Sequence, residues 1–214
     1  MEASIEKDRG NSGMVSITLY HASDRVVDIP DIKFPGPREN CDFGNGFYLA
    51  ENKYVAEEWV IRKPLPIINV YHFEAPKKEI LYLDGADWVK TIVGFRERAY
   101  KVHFKSPVVC GHIANDRMND ALPIFMQGII GDLRLLKCLN YCNLGNQYLL
   151  RGPTGFLTFE RSYNLKGLEL QRAIDRYYIR RQDMSSRIQS IYEEQIPGEK
   201  FLRHYLAEGD YIEP

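Results

Sequence analysis

The sequence predicts an α+β fold: a split, mostly antiparallel β-sheet core with flanking helices and a C-terminal helical extension. Three observations predict it. Short β-branched and aromatic runs at residues 15–20, 47–49, 67–73, 80–83, 146–150 and 156–159 are bounded by glycine, proline and asparagine. Several intervening stretches carry apolar residues at helical spacing. The strands and helices do not alternate regularly, which argues against a doubly wound parallel sheet.

With 214 residues, 44% hydrophobic and 12% aromatic, the chain can bury a substantial core. It reads as a polar, disordered lead-in over 1–14, a domain over 15–160, and a helical extension over 161–214. A net charge of -1 gives no global attraction to nucleic acid or membranes. No apolar run approaches the ~20 residues that span a bilayer. The polar, mixed-charge start is unlike a signal peptide. Cys41, Cys110, Cys138 and Cys142 are too few for a disulfide scaffold and lack zinc-finger spacing. Reduced thiols, a cytoplasmic location and no metal are expected.

The first strand, 15–20, ends at His21, a position from which an imidazole can project into a cleft. Residues 24–40 carry Pro30, Pro35, Gly36 and Pro37 and read as an extended connection. Asp42-Phe43-Gly44-Asn45-Gly46 then supplies glycine-rich turn chemistry before Phe47-Tyr48-Leu49. Gly44 and Gly46 permit positive φ or a close approach of backbone to a ligand; a plain turn feeding a strand is the alternative. Asn52 is a helix N-cap candidate. The helix runs from Lys53 to about Lys63 with Ala56, Trp59 and Val60 on one face, and Pro64 and Pro66 stop it.

Strands follow at 67–73 and 80–83, then a helix over 84–98 and a strand near 107–111. Asn115-Asp116 reads as a cap for a helix over 122–130. A helix over 132–142 has Leu133, Leu136 and Leu139 as its apolar row, with Cys138 and Cys142 sharing a face. The strand at 146–150 and the run at 156–159, joined by a tight Gly-Pro-Thr-Gly turn, predict a hairpin. Helices are expected over 165–195 and 200–207. Residues 161–189 carry seven Lys/Arg against three Asp/Glu, with Tyr177 and Tyr178 interleaved. Such a helix can contact phosphates and bases. It can equally be a solvated or docked structural helix with i, i+4 ion pairs.

In order, Leu19-Tyr20-His21, Gly44-Asn45-Gly46-Phe47-Tyr48-Leu49-Ala50 and Asn146-Gln147-Tyr148-Leu149-Leu150 resemble the His-Tyr-Glu signature of ADP-ribosyltransferases of the diphtheria-toxin and poly(ADP-ribose) polymerase type. The chain looks closer still to a bacterial domain family of that superfamily often encoded in toxin–antitoxin pairs. The shared features are the leading Leu-Tyr-His, the central Asp-Phe-Gly-Asn-Gly-Phe-Tyr, Ala114-Asn115-Asp116, and Asn-Gln in the last motif strand. The resemblance covers roughly residues 15–160. It implies an ADP-ribosyltransferase-like fold and NAD as substrate. It further implies transfer of a single ADP-ribose to a macromolecular acceptor with release of nicotinamide.

By the same resemblance, His21 would bond a ribose hydroxyl and the backbone of Ala22 would meet the carboxamide. Tyr48 and Trp59 would sandwich the nicotinamide, and Gly44 and Gly46 would line the ligand. The departure is Gln147, where the wider family has a glutamate that favours a cationic transition state, an electrostatic contribution on the order of several kcal/mol. Glutamine keeps the hydrogen bonds and loses the charge. Three outcomes stay open: Gln147 suffices alone for one transfer, Asp42 or Asp116 supplies the carboxylate, or the protein binds NAD or ADP-ribose without turnover. Poly(ADP-ribose) chain growth is not expected. Ala56 replaces a serine that often contacts the carboxamide. A degenerate interaction domain is the remaining alternative. The expected partners are a nucleic-acid or protein acceptor, with a slight lean to nucleic acid, and a cognate antitoxin; no membrane is expected.

Overall fold

The structure is a computed structural model that describes residues 13–30, 41–114, 120–141 and 143–213. Most of the expected lead-in, the prolines at 35 and 37, Asn115, Asp116 and Cys142 lie outside the described residues. In chain order the strands are β1 (Met14–Ser23), β2 (Phe47–Ala50), β3 (Ile67–Pro76), β4 (Ile80–Leu83), β5 (Val102–His103), β6 (Val108–His112), β7 (Asn146–Leu150), β8 (Leu157–Asn164) and β9 (Tyr211–Ile212). The helices are α1 (Lys53–Val60), α2 (Gly85–Glu97), α3 (Ala121–Met126), α4 (Asp132–Asn140), α5 (Gly167–Glu193) and α6 (Leu202–Glu208).

One seven-stranded sheet has the order β4-β6-β7-β2-β1-β3-β8. Every neighbouring pair is antiparallel except β4 and β6. The fold is therefore α+β with a mostly antiparallel sheet. β1 and β2 pair only at Tyr20 and Ala50, so the sheet has a narrow waist there. Both halves feed one inner core: Leu19, Tyr71 and Phe73 from one side, Phe47, Leu49, Tyr148 and Val108 from the other. The opposite faces are covered by helices. α2, α3 and α4 pack over Tyr48, Val109 and Leu149, while α1 and α5 pack over Ala50, Ile68 and Val70.

Local chemistry explains the element limits. Asn52 caps α1, its side chain accepting from the Tyr54 amide at 2.9 Å. Asp84 does the same for α2 through Gly85 at 2.7 Å. β1 runs past the expected end, so His21 lies inside the strand rather than beyond it. The expected hairpin of 146–150 with 156–159 does not form. β7 already has β2 and β6 on its two edges, and β8 pairs with the free edge of β3. The buried row of α4 is Leu135, Cys138 and Leu139, and Leu133 is exposed. The inward Asp132 sets that rotation: it accepts from the Tyr205 hydroxyl at 2.7 Å and the Lys200 amide at 2.9 Å.

The C-terminal residues are more than helices. β9 pairs in parallel with β5, and Ile191, Tyr205 and Tyr211 enter the same core as Phe43 and Trp88. Among the described residues no helix is long and apolar enough to cross a membrane.

Candidate functional site

The three motif segments occupy adjacent strands. β7, β2 and β1 are neighbours in the sheet. Register pairs Gln147 with Ala50, and Ala50 with Tyr20, so one cross-strand row joins all three at the waist. His21 follows Tyr20 directly, and Tyr48 precedes Ala50 by two residues on the same face.

Gln147 is buried, 4% exposed, at the start of β7. Its Nε2 donates to the Asp42 carboxylate and lies 3.3 Å from the His112 carbonyl. Among the described residues no donor reaches its Oε1. Asp42 is also buried, 6% exposed. It forms an ion pair with Arg96 from the last turn of α2 and accepts from the Ala114 amide at 3.3 Å. The polar centre of the site is thus a chain, Arg96–Asp42–Gln147, inside a largely apolar shell. Arg96 reads in sequence as a cation suited to a helix C-terminus. Its pairing with a residue far upstream carries no local signal.

His21 is buried, and its Nδ1 lies 2.8 Å from the Tyr48 carbonyl. A carbonyl only accepts, so Nδ1 carries the proton and, in the neutral ring, Nε2 is the acceptor. The ring stacks on Phe47 with centroids 4.1 Å apart. Strand alternation puts Phe47 on the inner-core face and Tyr48 on the helix-covered face. His21 and Gln147 therefore lie on the two strands that flank β2, and not on one face. A ligand touching both must sit at the waist, where β1 and β2 part after a single pair.

Tyr48 packs its ring into the core with Phe43, Val109 and Leu149. Its hydroxyl donates to the Gly44 carbonyl at 2.6 Å and accepts from the Phe43 amide at 3.0 Å. Burial is the main reason its phenol is held well above the usual range. Trp59 is on α1 and 38% exposed, whereas the Tyr48 ring is part of the buried cluster under α2, α3 and α4. Ala22 follows His21 in β1 and packs beside Ala50 and Val70. Ala56, the serine replacement, is fully buried.

The glycines face protein. A Cβ on Gly44 would come within 2.5 Å of the Phe95 ring, and one on Gly46 within 2.3 Å of Leu149 Cδ1. Packing of the turn against α2 and β7 requires both. The open groove of about 630 Å³ that includes Phe95, Arg98, Tyr100 and His103 contains none of the residues singled out in the sequence.

The arginines of α5 are partly committed. Arg176 pairs with Glu57 at 2.5 Å and Arg180 with Glu58 at 2.8 Å. Arg62 donates to the Tyr177 hydroxyl at 3.0 Å. This part of α5 is a docked structural helix rather than a free basic face.

A family model described as a protein of unknown function (DUF3990) matches residues 17–159. No curated protein and no solved structure matches the chain.

Proposed function

The chain belongs to the DUF3990 family, a family of unknown function, and on that premise we propose that it is an NAD-dependent mono-ADP-ribosyltransferase. The observation that carries the reading is the row Tyr20–Ala50–Gln147. It sets three segments far apart in sequence side by side in one sheet.

NAD would supply a C–N glycosidic bond to a good leaving group, nicotinamide. The chain's part is to bind, orient and stabilise charge. His21, its tautomer fixed by the Tyr48 carbonyl, would bond one ribose hydroxyl. Gln147 would accept from a second through Oε1, an acceptor that no described donor occupies. Trp59 would offer its partly exposed face to the nicotinamide ring, a contact worth on the order of 1 kcal/mol, and the backbone of Ala22 would meet the carboxamide. Tyr48 would contribute only the rim of a ring held in the core. The acceptor would be a protein or nucleic acid, and the physiological role that of a bacterial toxin or defence effector restrained by a cognate antitoxin.

One observation favours a second reading, a non-catalytic NAD or ADP-ribose binding module: residue 147 is a neutral amide. The test is incubation of purified protein with adenylate-labelled NAD and cell lysate, read as nicotinamide release and label on macromolecules. Release is expected, and His21→Ala should reduce it roughly 100-fold. Protease and nuclease treatment of the product names the acceptor class. Saturable NAD binding without nicotinamide would support the module instead. A folded protein that does not bind NAD would sink both.

A further inference from the structure

Among the described residues the Gln147 Nε2 has two partners, and both are acceptors: the Asp42 carboxylate and the His112 carbonyl. An amide facing two acceptors must turn its NH₂ toward them. Its carbonyl oxygen is thereby fixed toward the other side. Asp42 is itself held by Arg96 and the Ala114 amide, so it does not follow the glutamine if the glutamine moves. Hydrogen bonds in a chain polarise one another. Donation from Nε2 to an anion draws electron density toward Oε1 and makes it a stronger acceptor than a free amide oxygen.

We propose that Asp42 is a positioning residue that locks the amide of Gln147 and polarises it, so that Asp42 and Gln147 together do the work of a single carboxylate. This rests on the transferase reading and deepens it. Asp42 is buried behind Gln147 and has its oxygens engaged, so it acts through the glutamine and does not touch the ligand. The pair keeps one negative charge at the site, one residue back from the ribose. The site then requires a ligand group that donates, such as a hydroxyl, because Oε1 can only accept.

The consequence is that restoring a glutamate at 147 should harm the site. Gln147→Glu leaves Arg96–Asp42 intact and sets a second carboxylate against Asp42. Protonated, the new side chain donates to Asp42 as the amide does. Ionised, it repels Asp42, so the like charge raises its pKa. Among the described residues, the other charged and titratable groups around the pair are Arg96 from α2, Cys41 and Tyr48 from the turn and β2, Glu51 bonded to Asn146 at 3.0 Å, and His112 facing Asp84 at 3.7 Å. Among these, Arg96 supplies the fixed positive charge against Asp42.

The experiment compares wild type, Asp42→Asn, Gln147→Glu and the double variant Asp42→Asn/Gln147→Glu. Melting temperature without NAD is measured from pH 5 to 9, and nicotinamide release over the same range. Gln147→Glu should lose stability and activity together as pH rises through the raised carboxyl pKa. Asp42→Asn should release nicotinamide about 10- to 100-fold more slowly. The double variant has one charge and one amide in exchanged places, so it should lose the pH-dependent fall and recover stability relative to either single variant. Gln147→Glu matching wild type in its pH dependence, or a double variant equal to the sum of the singles, would overturn the proposal. Coupling in melting temperature with no nicotinamide release by wild type upholds the locked pair and overturns the transferase reading.

Discussion

Gly46 is the residue at which the glycine turn meets the rest of the fold most tightly. A Cβ there would lie 2.3 Å from Leu149 Cδ1 and 2.7 Å from the Leu150 carbonyl oxygen. The leucine side chain can yield a little. The carbonyl cannot, because Leu150 is registered against both Phe47 and Val108 in the sheet. Gly46→Ala is therefore expected to cost about 2–3 kcal/mol, an overpacking penalty at an unyielding backbone, read as a lower urea midpoint with an unchanged slope. A substitution that leaves stability within ~0.5 kcal/mol would show that the turn has room to move. The Gly-Asn-Gly turn is plain in the sequence. What the glycines accommodate is not, since Phe95, Leu149 and Leu150 are remote along the chain. The same holds for Gln147: its departure from the glutamate and Asp42 as a candidate carboxylate are both visible in the sequence, and the bond between the two emerges only when β7 reaches the turn.

At the scale of elements, α1 and α5 illustrate what periodicity can and cannot carry. The N-cap at Asn52 and the inward Ala56 and Val60 follow from local pattern. Glu57 and Glu58 do not. Two adjacent acids on a short helix read as a solvated face, yet both are buried, because Arg176 and Arg180, one turn apart on α5, reach across to them. Arg180→Ala would leave the Glu58 carboxylate buried beside fewer cations, with an expected loss of about 2–3 kcal/mol near neutral pH, below the usual cost for a fully buried pair because Arg180 is partly exposed. Burial raises the Glu58 pKa; Arg180 and Arg176 pull it down without cancelling the rise. A folded-state pKa above the unfolded value means that the native state binds this proton more tightly. The contribution of Glu58 is thus most favourable below the unfolded carboxyl value and declines as pH rises through the raised folded value. Arg180→Ala should steepen that decline, and Glu58→Gln should flatten it, both visible as melting temperature against pH between about 4 and 7. Identical profiles for wild type and Glu58→Gln would remove Glu58 from the account.

At the scale of the whole molecule, the division between motif-bearing domain and C-terminal extension does not match where the core lies. The family match ends at residue 159, inside β8. The segments after β8 supply Ile191, Tyr205 and Tyr211 to the cluster that holds Phe43, Tyr48 and Trp88. Tyr205 is fully buried and donates to Asp132, the residue that turns α4 inward. Glu213 accepts from the Ser106 amide at 2.8 Å, holding the chain's last strand against the loop before β6. Charge and periodicity identify the tail as helical, and Tyr205 and Tyr211 stand there as isolated aromatics with nothing local to mark them as core. A chain cut after Asn164 would expose the apolar faces of α2, α3 and α4 and leave Asp132 without its hydroxyl and amide donors. It should fail to unfold cooperatively: helical circular dichroism would melt over a broad range, and a dye for exposed apolar surface would bind before heating. His21, Ala50 and Gln147 would all still be present, so loss of NAD binding in that fragment would follow from loss of the support beneath Tyr48 and Asp42. A fragment that melts cooperatively and binds NAD like the full chain would make the tail an appendage, and would move the explanation of its buried tyrosines from folding to partner binding.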